Sequence, residues 1–257
     1  MTENSKAIGL TKLSVWQATK LQWMPGLASM IVFLPSVYIM GLKEIPTIFA
    51  LGLAILVAEV PISWMLIVRH VRVENDGNFS FSAAFPWAEK LKISTYIFVG
   101  IPLIVFGFIA MAMGQMRVGS IVRDSYFDWV PEWLILDAGM DAVMAMPQHV
   151  LLMMLGMSIF VFTLIGGFTQ ELYARGFLLP RMAHMGIGAP LLNATNFAIF
   201  HFAAPWNWPV FFAVSLAWSL LVYFMRSVRI GLVGHIGMLA LQTVALSALV
   251  LRGALLG

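Results

Sequence analysis

Ionisable side chains interrupt several long apolar stretches of this chain. Glu59, Glu171 and Arg175 lie within such stretches, as do His201 and His235. Ionisable groups at such positions are costly in a membrane and usually mark a functional site or a buried pair. Glu171 and Arg175 are four residues apart, so on a helix they would meet and form an ion pair. For Glu59, which is close to a proline, we favour a structural carboxyl group over one that lines a site.

A glutamate and two histidines can hydrolyse a peptide bond in two ways. The carboxylate can act as a general base on a water molecule held by one histidine, while the other histidine polarises the scissile carbonyl group. Alternatively, Glu171, His201 and His235 can bind a divalent metal ion that activates the water. The same residue types also suit hydrogen bonds that only join helices. The expected cofactor is therefore either none or a divalent metal ion.

Helix geometry lets these three side chains share one cavity. Glu171 lies roughly 17 Å before the expected end of its helix at the cytoplasmic surface. His201 lies roughly 20 Å from that surface, and His235 roughly 9 Å. We therefore expect one cavity that contains all three and opens towards the cytoplasm.

Three sequence segments resemble a known protein family. They are QELYARGFL (Gln170–Leu178), FAIFH (Phe197–His201) and GHIGMLAL (Gly234–Leu241). In this order they resemble the CPBP family, which comprises the type 2 CAAX prenyl endopeptidases and the bacteriocin-processing and self-immunity (Abi) proteins. The family pattern is E-E-x-x-x-R-G, then F-x-x-x-H, then H-x-x-x-N, and the resemblance covers about residues 160–250.

The resemblance implies an all-helical intramembrane protease. In that family the first glutamate and the motif-two histidine activate water, while the motif-three histidine and asparagine stabilise the oxyanion. The catalytic residues implied for this chain are Glu171, His201, His235, Arg175 and Gln170.

Two positions depart from the family pattern. Gln170 replaces the first glutamate, and Leu239 replaces the asparagine of motif three. A glutamine cannot accept a proton from water, and deleting an oxyanion donor costs on the order of 3 kcal/mol in other hydrolases. Either Glu171 serves as the base, or the chain is not a protease. Gln242, on the same helical face as His235, is a candidate for the missing amide.

Composition places these residues in a membrane protein. Hydrophobic residues make up 61% of the 257 residues and charged residues 11%, whereas a soluble domain has about 25% charged residues. The net charge of +3 is too small to favour nucleic acid, and the lack of cysteine excludes disulfides and thiol catalysis. The expected partners are the lipid bilayer and a peptide or membrane-protein substrate or partner, with no nucleic acid.

The apolar stretches predict an all-α, polytopic transmembrane bundle of about seven to eight helices. Residues 1–23 are expected to form an N-terminal cytoplasmic or interfacial segment. Residues 24–257 form a single transmembrane domain, with a CPBP-like core at about 150–251. The fourth apolar stretch is too long for one straight crossing, so it tilts, breaks near Gly166-Gly167 or extends beyond the bilayer. The expected spans are roughly 24–42, 46–68, 94–113, 150–183, 188–204, 208–226 and 230–251.

Lysine and arginine residues set the expected orientation. They are enriched before the first span and around the connections that follow the second, fourth and sixth spans, and such connections are usually cytoplasmic. We therefore expect an integral protein of a prokaryotic plasma (inner) membrane with a cytoplasmic N-terminus. The acidic connection at 114–149 lies on the outer side.

Two functions of different classes follow. The first is a CPBP-like intramembrane endopeptidase that hydrolyses a peptide or membrane-anchored substrate near the cytoplasmic face. The second is a catalytically inactive homologue that binds another membrane protein as a partner, scaffold or regulatory subunit. A transporter would require a pair of broken helices in matched halves, and the sequence has no such symmetry.

Overall fold

A computed structural model describes residues 10–43, 45–136, 143 and 145–256 of the chain. Within these ranges, seven helices of more than eight residues form a bundle, joined by connections that contain two short helical turns. The expected all-α polytopic bundle is confirmed. The seven helices are α1 (Val15–Gly41), α2 (Thr47–Glu74), α3 (Ile93–Tyr126), α4 (Gln148–Met185), α5 (Gly188–Phe200), α6 (Pro205–Met225) and α7 (Val228–Leu256).

Within the described ranges, all of these helices except α5 are long and apolar enough to cross a membrane. Large apolar side chains on them face outwards. Examples are Ile31, Phe98 and Phe160, which are 76%, 77% and 61% exposed. A soluble monomer rarely presents so much apolar surface to water. The chain is therefore an integral membrane protein whose helices contact lipid.

The helix α5 is shorter than the span expected at 188–204. It has 13 residues, so it is about 20 Å long, whereas the hydrocarbon core is about 30 Å thick. It ends at His201, whose backbone N–H donates to the carbonyl oxygen of Ala198 at 3.2 Å. A partly buried turn then leads into α6. The helix α5 is thus too short to cross the hydrocarbon core by itself.

The helix α1 begins earlier than the span expected from residue 24. Ser14 Oγ accepts a hydrogen bond from the backbone N–H of Gln17 at 3.3 Å, and Gln17 Oε1 accepts one from the backbone N–H of Ser14 at 2.9 Å. This reciprocal cap starts the helix at Val15. Residues 1–9 of the expected N-terminal segment, and residues 137–142 and 144 of the acidic connection, lie outside the described residues.

The helix α4 continues through the Gly166-Gly167 pair without a break and reaches 38 residues. The two glycines allow close helix contacts instead. A Cβ on Gly167 would lie 2.5 Å from the side chain of Leu239 in α7, and one on Gly166 would lie 3.2 Å from Ile55 in α2. Of the three expectations for this stretch, a break at the glycines is therefore wrong, because both positions serve helix packing.

The two ends of the bundle differ. The basic end comprises residues 10–14 and the α2–α3, α4–α5 and α6–α7 connections; the opposite end carries the other three connections. The largest buried apolar cluster of the described residues lies next to the basic end and includes Phe177 and Val222. Arg181 of α4 binds both carboxylate oxygens of Glu74 of α2 there, at 3.0 and 2.5 Å. Side chains therefore fill this half of the bundle.

Candidate active site

Glu171 and Arg175 form a fully buried ion pair on α4. Arg175 Nη1 donates to Glu171 Oε2 at 2.9 Å, and neither side chain is exposed. The four-residue spacing brings the two groups together as predicted. Glu171 Oε1 is enclosed and has no hydrogen-bond partner among the described residues. Because both charges are removed from water, each depends on the other to offset its desolvation.

Two serines of α6 and an aromatic ring of α5 hold Arg175. Its Nη2 donates to Ser215 Oγ at 2.5 Å, and its Nε donates to Ser219 Oγ at 3.4 Å. The guanidinium group lies 4.0 Å from the centre of the Phe197 ring, which is a cation–π contact. Ser219 Oγ in turn donates to Asn193 Oδ1 at 2.9 Å. Arg175 therefore links α4 to both α5 and α6.

His235 of α7 contacts the same carboxylate. Its Nδ1 lies 3.2 Å from Glu171 Oε2, and its ring stacks on Trp218 with a centroid separation of 4.9 Å. A carboxylate accepts hydrogen bonds, so Nδ1 carries a proton and Nε2 is left for another partner. Glu171 thus fixes the orientation of the His235 ring.

His201 closes α5 and directs one ring nitrogen to its own helix. Its Nδ1 lies 2.8 Å from the carbonyl oxygen of Phe197. Because a carbonyl oxygen can only accept, Nδ1 carries the proton and Nε2 keeps a lone pair. The ring is also packed against Phe211, with centroids 4.4 Å apart. His201 Nε2 can therefore accept a hydrogen bond from a water molecule.

A cavity of about 330 Å³ lies among the helices. Gln170, His201 and His235 line it, whereas Glu171 and Arg175 do not. Of the five predicted site residues, three therefore face one space. The other two lie in the packed protein beside it, where Glu171 contacts His235 and Arg175 pairs with Glu171.

The cavity reaches from the middle of the bundle, where Trp218 and His235 line it, towards the end opposite the basic end. Its lining includes Ile48 at the start of α2, Gln115 of α3 and Asn207 in the first turn of α6. All three are near the opposite end. A cavity that opens at the basic end was expected; the apolar cluster and the Glu74–Arg181 pair are packed next to that end.

Gln170 binds a carboxylate from another helix. Its Nε2 donates to Glu59 Oε1 at 2.7 Å, and both residues line the cavity. Glu59 is 4% exposed, and its second oxygen, Oε2, has no hydrogen-bond partner among the described residues. The structure thus places Glu59, for which a purely structural role was favoured, against a motif residue.

The residue that replaces the motif-three asparagine also faces the cavity. Leu239 and Gln242 both line it, and the described residues provide no hydrogen-bond partner for the Gln242 side chain. An amide is therefore present on the helical face where the family pattern has asparagine, but it lies one turn further along α7.

Sequence reasoning missed the α6 contribution to the site. Ser215, Trp218 and Ser219 contact Arg175 or His235. The available signal was a pair of serines four residues apart in an otherwise apolar helix, which places both hydroxyl groups on one face.

The described residues contain no group of three or more His, Cys, Asp or Glu side chains close enough to hold a metal ion. The expected metal alternative, with Glu171, His201 and His235 as ligands, therefore has no assembled three-ligand site in that part of the chain.

Comparison with known proteins identifies one family. Residues 150–241 match the family described as Type II CAAX prenyl endopeptidase Rce1-like. No curated protein and no solved structure matches the chain significantly. The matched region includes the ion pair of α4 and both cavity histidines. Over residues 150–241, the predicted resemblance to the CPBP family is therefore confirmed, as a match to its Rce1-like type II CAAX prenyl endopeptidases.

Proposed function

We propose that this chain is an intramembrane endopeptidase that hydrolyses a peptide or membrane-anchored substrate. The observation that carries the proposal is one cavity lined by two histidines, each with its Nδ1 already engaged and its Nε2 left for another group. Two such nitrogens serve the two needs of peptide hydrolysis, a site for water and a donor for the oxyanion. The similarity of residues 150–241 to an endopeptidase family supports the same reaction.

Each predicted site residue has a role in this proposal. His201 Nε2 accepts a hydrogen bond from the attacking water. Protonated His235 donates from Nε2 to the oxyanion, and the carboxylate of Glu171 beside Nδ1 stabilises its positive charge. Glu171 and Arg175 are then positioning residues, and Gln170 orients a neighbouring carboxylate.

The cavity position suggests how the substrate enters. Basic residues concentrate at the end that holds residues 10–14, which we assign to the cytoplasm of a prokaryotic cell. The cavity reaches from His235 in the middle of the bundle to Ile48 and Asn207 near the opposite end. We therefore revise the expected site of cleavage from the cytoplasmic face to the middle of the membrane, with entry from the opposite face or from the lipid.

A cleavage assay tests this function. Purified protein in liposomes is incubated with a farnesylated peptide ending in a CAAX sequence and, separately, with single-span membrane peptides, and the products are identified by mass spectrometry. We expect cleavage by the wild type and loss of at least 100-fold in His201→Ala and in His235→Ala. His184→Ala, outside the cavity, is the matched control. Cleavage that survives both cavity variants would contradict the proposal.

A second candidate function is supported by one specific feature. Leu239 puts an apolar side chain on the cavity wall where the family pattern has a hydrogen-bond donor, which favours an inactive homologue that binds a membrane-protein partner. In that case the wild type cleaves none of the peptides, and a membrane protein co-purifies in stoichiometric amount.

A further inference from the structure

We propose that Glu59 of α2 is the general base of this site and replaces the motif-one glutamate that Gln170 lacks. The proposal rests on the endopeptidase function proposed above. It concerns a residue outside the region that matches the family, which begins at residue 150. The carboxylate of Glu59 is 2.7 Å from the Gln170 amide, so a proton acceptor lies next to the position where the family pattern has its own.

The site can hold only one ionised carboxylate at these two positions. A glutamate at 170 with the same side-chain position would bring its carboxyl group about as close to Glu59 Oε1 as Gln170 Nε2 is now. Two carboxyl groups about 3 Å apart cannot both be ionised. With glutamine at 170, the amide N–H donates to Glu59 Oε1 and leaves Oε2 for water. Gln170 and Glu59 are therefore complementary, because each makes the other residue type favourable.

Glu171, the other candidate base, is poorly placed. A general base must come within hydrogen-bond reach of the water that it deprotonates. Glu171 does not line the cavity, and its Oε2 already binds Arg175 and His235. Its other oxygen, Oε1, packs against Gly231 so closely that a Cβ there would collide with it. Glu59 has the opposite properties, since it lines the cavity and has one oxygen without a partner.

The reaction needs only water as co-reactant. A water O–H bond breaks as its proton moves to Glu59 Oε2, and the water oxygen bonds to the scissile carbonyl carbon. The carbonyl π electrons move to its oxygen beside His235. When the C=O bond reforms, the C–N bond breaks, and the proton held by Glu59 moves to the departing nitrogen. The products are an acid and an amine, and Glu59 is again ionised.

An exchange of the two side chains tests the proposal. Glu59→Gln should lower kcat at least 100-fold, the usual range for loss of a general base. The double variant Glu59→Gln, Gln170→Glu moves the carboxylate to the family position and should recover at least tenfold of that loss. Glu132→Gln, an exposed acid in the α3–α4 connection, is the matched control. Thermal unfolding and size-exclusion profiles of all variants verify that they remain folded.

The outcomes separate this proposal from the proposed function. A wild type that cleaves none of the peptides overturns the endopeptidase function itself. Cleavage at the wild-type rate by Glu59→Gln overturns only the role of Glu59. If folded Glu59→Gln is inactive and the exchange recovers nothing, Glu59 supports the structure rather than the reaction, and the proposal is again overturned.

Discussion

Gln170 and Glu171 are neighbours in the sequence, yet their side chains have different surroundings. Gln170 binds Glu59 in the cavity at 2.7 Å, whereas Glu171 binds Arg175 in the packed interior at 2.9 Å. Successive residues of a helix point about 100° apart, so one faces the cavity and the other faces α6 and α7. The helix thus separates a residue that lines the cavity from a residue that belongs to the buried polar network.

Removing one charge of the Glu171–Arg175 pair should destabilise the protein more than removing both. Arg175→Met leaves the Glu171 carboxylate buried beside groups that no longer neutralise it, and we expect a loss of about 3–5 kcal/mol in the free energy of unfolding. The double variant Arg175→Met, Glu171→Met should recover most of this loss. Reversible denaturation in detergent measures both. Additive losses would contradict the coupling that the 2.9 Å contact indicates.

The close packing of α7 should require a residue without a side chain at Gly231. A Cβ there would collide with Glu171 Oε1 and lie 2.9 Å from Val222, so we expect Gly231→Ala to cost about 1–3 kcal/mol. Gly156→Ala on α4 is the matched control, because nothing lies within 4 Å of the added carbon. The unfolding temperature should fall in the first variant only. Equal temperatures would show that α7 can move away from the carboxylate.

The missing amide can be restored. If the chain is an endopeptidase, Leu239→Asn supplies a donor on the cavity wall and should raise kcat about tenfold or more. Gln242→Leu should lower kcat in the wild-type background and have little effect in Leu239→Asn, because either amide then suffices. The four rates form a double-mutant cycle. Independent effects of the two substitutions would argue against a shared role.

Chemical modification distinguishes the three membrane carboxylates described above without any substrate. A hydrophobic carbodiimide reacts with protonated carboxyl groups that it can reach through an apolar space. We expect peptide mapping to find the adduct on Glu59, which lines the cavity. Glu171 and Glu74, which are paired with arginines, should remain unmodified. An adduct on Glu171 would contradict its enclosure.

Single cysteines can locate the cavity mouth, because the chain has none of its own. Ala203→Cys lies on the cavity wall near the opposite end, and Lys90→Cys lies exposed at the basic end. In intact cells a membrane-impermeant maleimide should label the first and spare the second. Inverted vesicles should give the reverse pattern. Labelling of both from one side would disagree with the position of the cavity.

The membrane fold is largely predictable from the sequence, because long apolar stretches leave few alternatives to helices. Where the helices of the structure differ from those predicted, the causes are local. The Ser14–Gln17 cap moves the start of α1 outwards. α5 is apolar enough to resemble a span, but it is a short helix that ends at His201. Hydropathy alone does not distinguish a helix buried among other helices from one that faces lipid.

The site is predictable only where its contacts are local. Helical spacing predicts the Glu171–Arg175 pair, and the order of the three motifs associates His201 with His235. The bond between Glu59 and Gln170 joins residues 111 positions apart. It depends on how α2 packs against α4, which neither spacing nor motif order expresses. For the same reason, the sequence alone does not predict that the serines of α6 accept hydrogen bonds from Arg175.

The Glu59–Gln170 bond bears on how degenerate enzyme relatives are classified. A motif comparison inspects positions one at a time, so a glutamate lost from a motif is counted as a lost activity. A carboxylate contributed by a distant helix, as proposed for Glu59, would supply the charge next to the motif position although the motif itself lacks its glutamate. Relatives that combine glutamine at the motif position with an acid at the position of Glu59 should therefore be assayed as enzymes before they are grouped with pseudoenzymes.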